Sequence, residues 1–309
     1  MSILISNLVG LFLLMGVGAL IVRFHILPVT MTTYLSHLLM TVIAPALILQ
    51  SLMRPFSMEF LRDGAVIFAV GMAAYLLLIG LTLLLGRIFH VPQNRRGLWA
   101  VCTTFPNNGF MGFPIILAIL GDEALALAVI MGIPFNILLY TVGVRVLLTD
   151  RSAKEGTPQL SLKKTLLTPV NVATALGLAI FLLQIPVPEV ISAPIGYLAN
   201  VATPLSMLII GMELTKCSVS KVIRDGNVLT GTFTKLVAAP LICLLPLRVI
   251  PLTNSLMIPV ILITMAMPTA AVVSALAKQY EVDVELAVEI TFMSGLLCMI
   301  TMPLISLLL

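Results

Sequence analysis

Thr103-Thr104-Phe105-Pro106-Asn107-Asn108-Gly109 interrupts an apolar run at residues 98–120, and Met267-Pro268-Thr269-Ala270-Ala271 interrupts another at 253–277. The prolines Pro106 and Pro268 lie 162 residues apart in a chain of 309, close to half its length. Backbone that stops being helical at membrane depth is tolerated only where protein buries it or where it lines a cavity. A matched pair of such breaks in two halves of a chain is the best sequence pointer to the binding site of a carrier built from inverted repeats.

The surroundings of the breaks are those of a bilayer. Hydrophobic residues make up 60% of the chain and charged residues only 10%, against roughly 25% charged in a soluble domain. Apolar runs fall at about 3–22, 34–53, 65–86, 98–120, 124–144, 166–185, 191–212, 227–247, 253–277 and 286–309. Each is near the roughly 20 residues that a helix needs to cross the hydrocarbon core. These runs predict an all-α integral membrane protein of ten transmembrane helices with no sizeable soluble domain. A porin-like barrel fits poorly, because barrel strands alternate over about 10 residues and these runs are solidly apolar. The first run lacks the leading positive charge of a cleaved signal peptide, since no Lys or Arg precedes Arg23.

The net charge of +4 follows the topology. Between the ten runs, odd-numbered connections hold Arg23; Arg87, Arg95 and Arg96; Arg145, Arg151, Lys154, Lys163 and Lys164; Lys216, Lys221 and Arg224; and Lys278. Even-numbered connections hold only Arg54, Arg62 and Arg248. Short loops rich in Lys and Arg stay in the cytoplasm. The odd loops are therefore expected inside, with both termini outside, and no nucleic-acid partner is needed to explain the basic excess. The expected locale is the cell membrane, inner or plasma, crossed many times.

The linker at 149–165 leaves five runs on either side, residues 1–148 and 166–309. An odd number of spans per half forces the second half to enter from the opposite face, so any repeat is inverted. Landmarks recur in order. Pro45 is answered by Pro204, His25-Ile26-Leu27-Pro28 by Ile185-Pro186-Val187-Pro188, and Pro106 by Pro268.

Thr168-Pro169-Val170-Asn171, Ala202-Thr203-Pro204-Leu205-Ser206-Met207 and Gly211-Met212-Glu213-Leu214 resemble the auxin efflux carrier family in its bacterial form. Pro106-Asn107-Asn108-Gly109-Phe110-Met111-Gly112-Phe113-Pro114 and Pro268-Thr269-Ala270-Ala271 through Ala277 to Tyr280 fit the same family. The resemblance spans essentially the whole chain. It implies the fold of bile acid/sodium symporters, two inverted five-helix repeats in which helices four and nine are broken and cross. It also implies a scaffold panel from runs one, two, six and seven, and a moving transport panel from runs three to five and eight to ten. A homodimer through the scaffold helices belongs to the same expectation.

A half-helix that begins at a break offers free N–H groups and the positive end of its dipole, a ready site for an anion. Asn107, Asn108 and Thr269 supply short polar side chains that cap half-helices or bond a ligand. Gly109 and Gly112 permit close backbone approach. The candidate substrate site is therefore Thr104, Pro106, Asn107, Asn108, Gly109, Gly112, Pro268, Thr269 and Ala270. The bland alternative is a pair of proline kinks satisfied by neighbouring helices.

Ionisable residues within spans default to functional hypotheses. Lys235, in run eight beside Thr232 and Thr234, either neutralises a substrate anion, pairs with a carboxylate, or snorkels to an interface. Glu289, one turn after Glu285, is a candidate for proton or cation coupling or an interfacial carboxylate. Glu213 reads as interfacial pairing, and Asn136 and Asn171 as hydrogen bonds between helices. Cys102, Cys217, Cys243 and Cys298 match no metal or disulfide framework and read as packing residues. No catalytic set, metal site, cofactor or nucleotide motif stands out around His25, His37 and His90, so the chain is not expected to be an enzyme or an ATP-driven pump.

The function expected is a secondary carrier for a small organic anion, a mono- or dicarboxylate or auxin-like acid, working by elevator-type alternating access. Exporting one negative charge gains about 2.3 kcal/mol per 100 mV, whereas uptake calls for a coupled proton or sodium ion. An uptake symporter therefore stays open as the alternative. A channel, a membrane-embedded ligand sensor and a membrane enzyme fit less well.

Overall fold

The structure, a computed structural model, describes residues 2–150, 167–215, 222–248, 252 and 254–308. Arg151, Lys154, Lys163, Lys164, Lys216, Cys217, Lys221 and nearly all of the 149–165 linker lie outside the described residues. Among the described residues the architecture is all-α, without a strand. The helices are α1 (Ser2–Arg23), α2 (Met31–Leu52), α3 (Met58–Ile88), α4 (Gln93–Thr104), α5 (Asn108–Leu120) and α6 (Asp122–Leu148). They continue with α7 (Pro169–Leu183), α8 (Glu189–Glu213), α9 (Gly226–Leu247), α10 (Met257–Ala266), α11 (Ala271–Gln279) and α12 (Val284–Ser306).

Seven of these, α1, α2, α3, α6, α8, α9 and α12, are long and apolar enough to cross a membrane. The shorter apolar helices α5, α7 and α10 do not reach that length. Leu13, Leu76, Leu176 and Ile300 are exposed, as side chains that face lipid must be. The apolar runs mark the hydrocarbon depth rather than the helix ends. Run three, expected at 65–86, is helical from Met58 to Ile88, and α4 starts at Gln93 rather than near Leu98. Arg62 thus sits on the second turn of α3, and Arg95 and Arg96 on the first turn of α4, not in loops.

Three prolines are preceded by one widened π-turn each: Leu39–Ile43 before Pro45, Asn108–Gly112 before Pro114, and Thr234–Ala238 before Pro240. A proline cannot donate to the carbonyl four residues back, and a π-turn shifts the bonding register so that the helix continues past it. A fourth π-turn, Leu139–Gly143, has no such proline behind it. Four helices stop on a non-glycine residue in the left-handed region, at His25, His90, Gln184 and Glu281. In each, the next residue's N–H reaches back five residues: Ile26 to Ile21, Val91 to Gly86, Ile185 to Ile180 and Val282 to Ala277. That is the Schellman pattern, closed by an apolar residue.

The chain divides into two compact units. The first holds the chain up to Ile67, Gly109–Met131, and α7 and α8. Its helices α1 and α8 touch backbone to backbone. A Cβ at Gly211 would lie 1.9 Å from the Met15 carbonyl oxygen, and one at Gly18 would lie 2.2 Å from that of Leu208. Only glycine fits either place. Phe181 of α7 meets Phe56 and Phe60 at 5.4 and 5.2 Å between centroids, and Asn7 donates to the Ala118 carbonyl at 2.8 Å.

The second unit holds Phe68–Asn108, α6 from Gly132 onward, and α9 to α12. Its core is the ring cluster Tyr75, Phe105 and Phe135, with centroids 5.6 to 6.1 Å apart. Three helix starts are tied together by charge. Asp225 caps α9 by accepting from the Asn227 N–H, and Asp283 caps α12 by accepting from the Leu286 N–H. The Arg95 guanidinium bridges both caps, at 2.9 Å to Asp225 and 2.6 Å to Asp283. Asp150 receives the Gly97 and Leu98 N–H groups of α4, each at 2.7 Å. Burial pushes the Asp150 carboxyl up to about 6, against the downward pull of those two amides and of Arg96.

Candidate functional site

The two breaks meet within the second unit. Phe105 leaves α4 in an extended conformation, as do Met267 and Ala270 around the end of α10 and the start of α11. Pro106 and Thr269 face each other as an antiparallel bridge. The Asn107 N–H donates to the Pro268 carbonyl at 2.8 Å, and the Ala270 N–H donates to the Phe105 carbonyl at 3.0 Å. Both bonds flank the facing pair, so the pair itself exchanges none. Pro106, which has no N–H, therefore loses nothing by standing there. The Thr269 N–H points away from the bridge and donates to the Ser294 Oγ at 3.1 Å.

Breaking two helices orphans carbonyls, and side chains take them over. In a continuous α4 the Cys102 carbonyl would accept from residue 106, which is proline; the Thr269 hydroxyl donates to it instead, at 2.8 Å. In a continuous α10 the Met265 carbonyl would accept from the Thr269 N–H, which Ser294 has taken. The Lys235 ammonium donates to it at 3.1 Å. The Ala266 carbonyl, whose helical partner Ala270 is paired across the bridge, receives the Cys298 thiol at 3.8 Å. The negative end of the α10 dipole thus ends on a cation and the end of α4 on a hydroxyl.

The positive ends are treated differently. No Asp or Glu occurs within 98–120 or 257–279, and the N-cap of α11, Ala270, offers no side-chain acceptor. Asn108 is 5% exposed and its Nδ2 donates to the Tyr75 hydroxyl at 3.4 Å, while its Oδ1 has no partner among the described residues. Exchanging O and N of the amide, which geometry of this kind leaves open, lets Tyr75 donate to Oδ1 and frees Nδ2. Either way one end of a buried amide is unused.

Of the residues singled out in the sequence, Thr104, Pro106, Asn107, Asn108, Pro268, Thr269 and Ala270 come together here. Thr104 turns its hydroxyl to that of Thr82, 3.0 Å away. Gly109 and Gly112 continue into the π-turn of α5, in the first unit, where a Cβ on Gly109 would press on Met40. Lys235 does not snorkel: it is 0% exposed, inside the π-turn of α9. Glu289 is not brought to the bridge. It lies five residues before Ser294 on α12, which is about 7.5 Å along the axis and roughly 140° around it.

Asn136 bonds within its own helix, to the Gly132 carbonyl at 3.1 Å, rather than to a neighbouring one. Cys102, Cys243 and Cys298 are free and buried. Ser294 and Tyr75 were missed, though each is a polar group inside an apolar run. The Arg95 clamp was also missed, although Asp225 and Asp283, each just before an apolar run, carry the ordinary signal of an N-cap.

An all-α bundle with lipid-facing surface, two broken helices and an internal polar crossing defines a membrane transport protein. The chain belongs to the membrane transport protein family of auxin efflux carriers, whose family model matches residues 3–306. An uncharacterized transporter of Methanothermobacter thermautotrophicus is 28% identical over 231 residues, covering 72% of this chain and 73% of that protein. An uncharacterized transporter of Methanocaldococcus jannaschii is 26% identical over 257 residues, covering 77% and 75%.

Proposed function

We propose that this chain is a secondary carrier that moves a small organic anion, a mono- or dicarboxylate or auxin-like acid, by elevator-type alternating access. The observation that carries the reading is the bridge between Pro106 and Thr269. It gathers two breaks from distant parts of the chain, with the half-helix ends that carry negative partial charge already capped. The positive end of α11 and the amide of Asn108 keep unused capacity for a ligand. A carboxylate supplies acceptors only, which is what N–H groups at a helix start require.

The reading includes ten membrane crossings in two inverted five-helix repeats, with α4/α5 and α10/α11 as broken spans. Backbone landmarks favour the repeat: His25 and Gln184 stop α1 and α7 in the left-handed region 159 residues apart, and Gly121 and Glu281 follow α5 and α11 at an offset of 160. The grouping of α1, α2, α7 and α8 in one compact unit favours a scaffold built from them, although that unit also holds Gly109–Met131 of the expected transport panel. By the asymmetry of Lys and Arg, both termini face outward; a C-terminal reporter found in the cytoplasm would refute that orientation. A homodimer through the scaffold helices is part of the proposal.

The test is Asn108→Ala in the full-length protein. Purified wild type is screened for thermal stabilisation by organic acids, and flux of the stabilising acid is measured in proteoliposomes. Asn108→Ala is expected to lose stabilisation and flux while inserting and folding as wild type does. Normal flux in that variant would refute a substrate site at the bridge.

A further inference from the structure

The turns that join α2 to α3 and α7 to α8 border an open cavity of about 510 Å³ within the first unit. Residues 53–56 form one wall and 184–187 the other, with Ile180 and Ser192 beside them. Small-ligand sites run to roughly 300–1,000 Å³. Both turns are set by their own backbone. Met53, at φ −76° and ψ 68°, centres an inverse γ-turn in which the Arg54 N–H donates to the Leu52 carbonyl at 2.9 Å. Gln184 closes α7 in the left-handed region, and Pro186 fixes the backbone just after it.

Arg54 is the one charged residue on the wall. Its guanidinium carbon lies 4.2 Å from the centroid of the Phe60 ring, and that buried ring packs edge-on against buried Phe181. The ion pairs among the described residues belong to Arg95. Neither Glu59 nor Glu189, the first carboxylates of α3 and α8, pairs with Arg54. A guanidinium laid on an aromatic face, with its N–H edge unpaired, is pre-organised for an anion with two oxygens in one plane. The Gln184 amide adds neutral N–H donors to the same wall.

The depth of the cavity points to the source of that anion. α2 ends at Leu52 and α7 at Leu183, where the apolar runs 34–53 and 166–185 also end. The cavity therefore lies where hydrocarbon gives way to headgroups. Leu182, Leu183, Ile185 and Val190 are exposed around it, an apolar border that suits acyl chains and gives a soluble anion nothing. Orientation does not account for Arg54 either, because its connection belongs to the even-numbered set that is nearly bare of cations.

We propose that this cavity binds the headgroup of an anionic glycerophospholipid, with the phosphodiester on the Arg54 guanidinium, the glycerol end toward Gln184 and Ser192, and the acyl chains along the exposed leucines. The bound lipid ties the α2–α3 turn to the α7–α8 turn. The site does not depend on the carrier reading.

The experiment is thermal unfolding of delipidated full-length protein in dodecyl maltoside, titrated with phosphatidylglycerol or phosphatidylcholine. With phosphatidylglycerol at about a hundredfold excess over its Kd, the wild-type midpoint is expected to rise saturably by about 5 °C or more. Phosphatidylcholine should give less than half of that shift. Arg54→Gln is expected to lose most of it, while Arg23→Gln, which removes a cation from an odd-numbered connection, should keep it. A full shift in Arg54→Gln overturns the proposal. Wild type decides the matter by itself if that variant does not fold. No saturable response to phosphatidylglycerol, an equal response to phosphatidylcholine, or the same shift from soluble glycerol phosphate each overturns a lipid site. None of these outcomes touches the carrier reading, which Asn108→Ala tests separately.

Discussion

Thr269→Val tests the crossing at its most exposed point of logic. Valine keeps the volume and branching of threonine and replaces the hydroxyl with a methyl. The wild-type hydroxyl is 0% exposed and donates at 2.8 Å to the Cys102 carbonyl, whose helical donor would have been residue 106. Because residue 106 is proline, the variant leaves a buried carbonyl with neither partner. Stranding a buried acceptor costs about 1–3 kcal/mol. At roughly 2–4 °C per kcal/mol for chains of 150–250 residues, the midpoint should fall by about 2–12 °C, toward the lower end for this longer chain. Thr269→Ser, which restores the donor, should recover most of the loss. A further arm isolates the cause. In a Pro106→Ala background the chain regains an N–H four residues after Cys102, so Thr269→Val should cost less there than in wild type. The assay is thermal unfolding of the four proteins of that cycle in detergent. Equal cost in both backgrounds would refute the claim that Thr269 substitutes for the amide that Pro106 lacks, and so would a serine variant as unstable as the valine one.

Gly211→Leu should disrupt the first unit, since even a Cβ would meet the Met15 carbonyl oxygen at 1.9 Å. Overpacking costs about 1–3 kcal/mol where side chains can yield, and a backbone carbonyl yields less, so the yield of folded protein should drop sharply; wild-type yield and midpoint would contradict the packing described. Asp150 should make stability fall with rising pH across about 4 to 6. Its folded carboxyl is pushed up to about 6 from an ordinary 3.8, so the unfolded chain releases its proton first, and each step upward through that window favours unfolding. Measured against Asp150→Asn, wild type should lose stability from pH 4 to 6 and change no further above pH 7; a difference that grows in wild type's favour over that window would contradict the buried setting of Asp150.

Part of this was legible because the bilayer imposes strong rules on composition. Apolar runs of about 20 residues, loops divided by charge and prolines set at half-chain spacing are one-dimensional signals. They carried the all-α membrane class, the family and most of the bridge residues. The misreadings share a cause. Helix ends were placed at the edges of apolarity, and so Arg62 and Arg95 were assigned to loops, because hydropathy reports depth and not backbone conformation. The sequence leaves Lys235 open between a snorkelling and a buried role, because a lysine about eight residues into a run has a stem long enough for either. Ser294 and Tyr75 carry no such signal, because one hydroxyl in an apolar run looks the same whether it bonds its own helix or another.

The sequence by itself determined that this chain lives in a membrane, that its fourth and ninth apolar runs break, and that the breaks carry no acidic residue. Those facts follow from residue identity and from the energy of backbone and charge in hydrocarbon. Only the tertiary structure decided which group answers each orphaned carbonyl: Thr269 for Cys102, Lys235 for Met265, and Cys298 for Ala266. Such pairings join residues as many as 167 positions apart. They depend on where packed helices bring a break, and no local pattern records that.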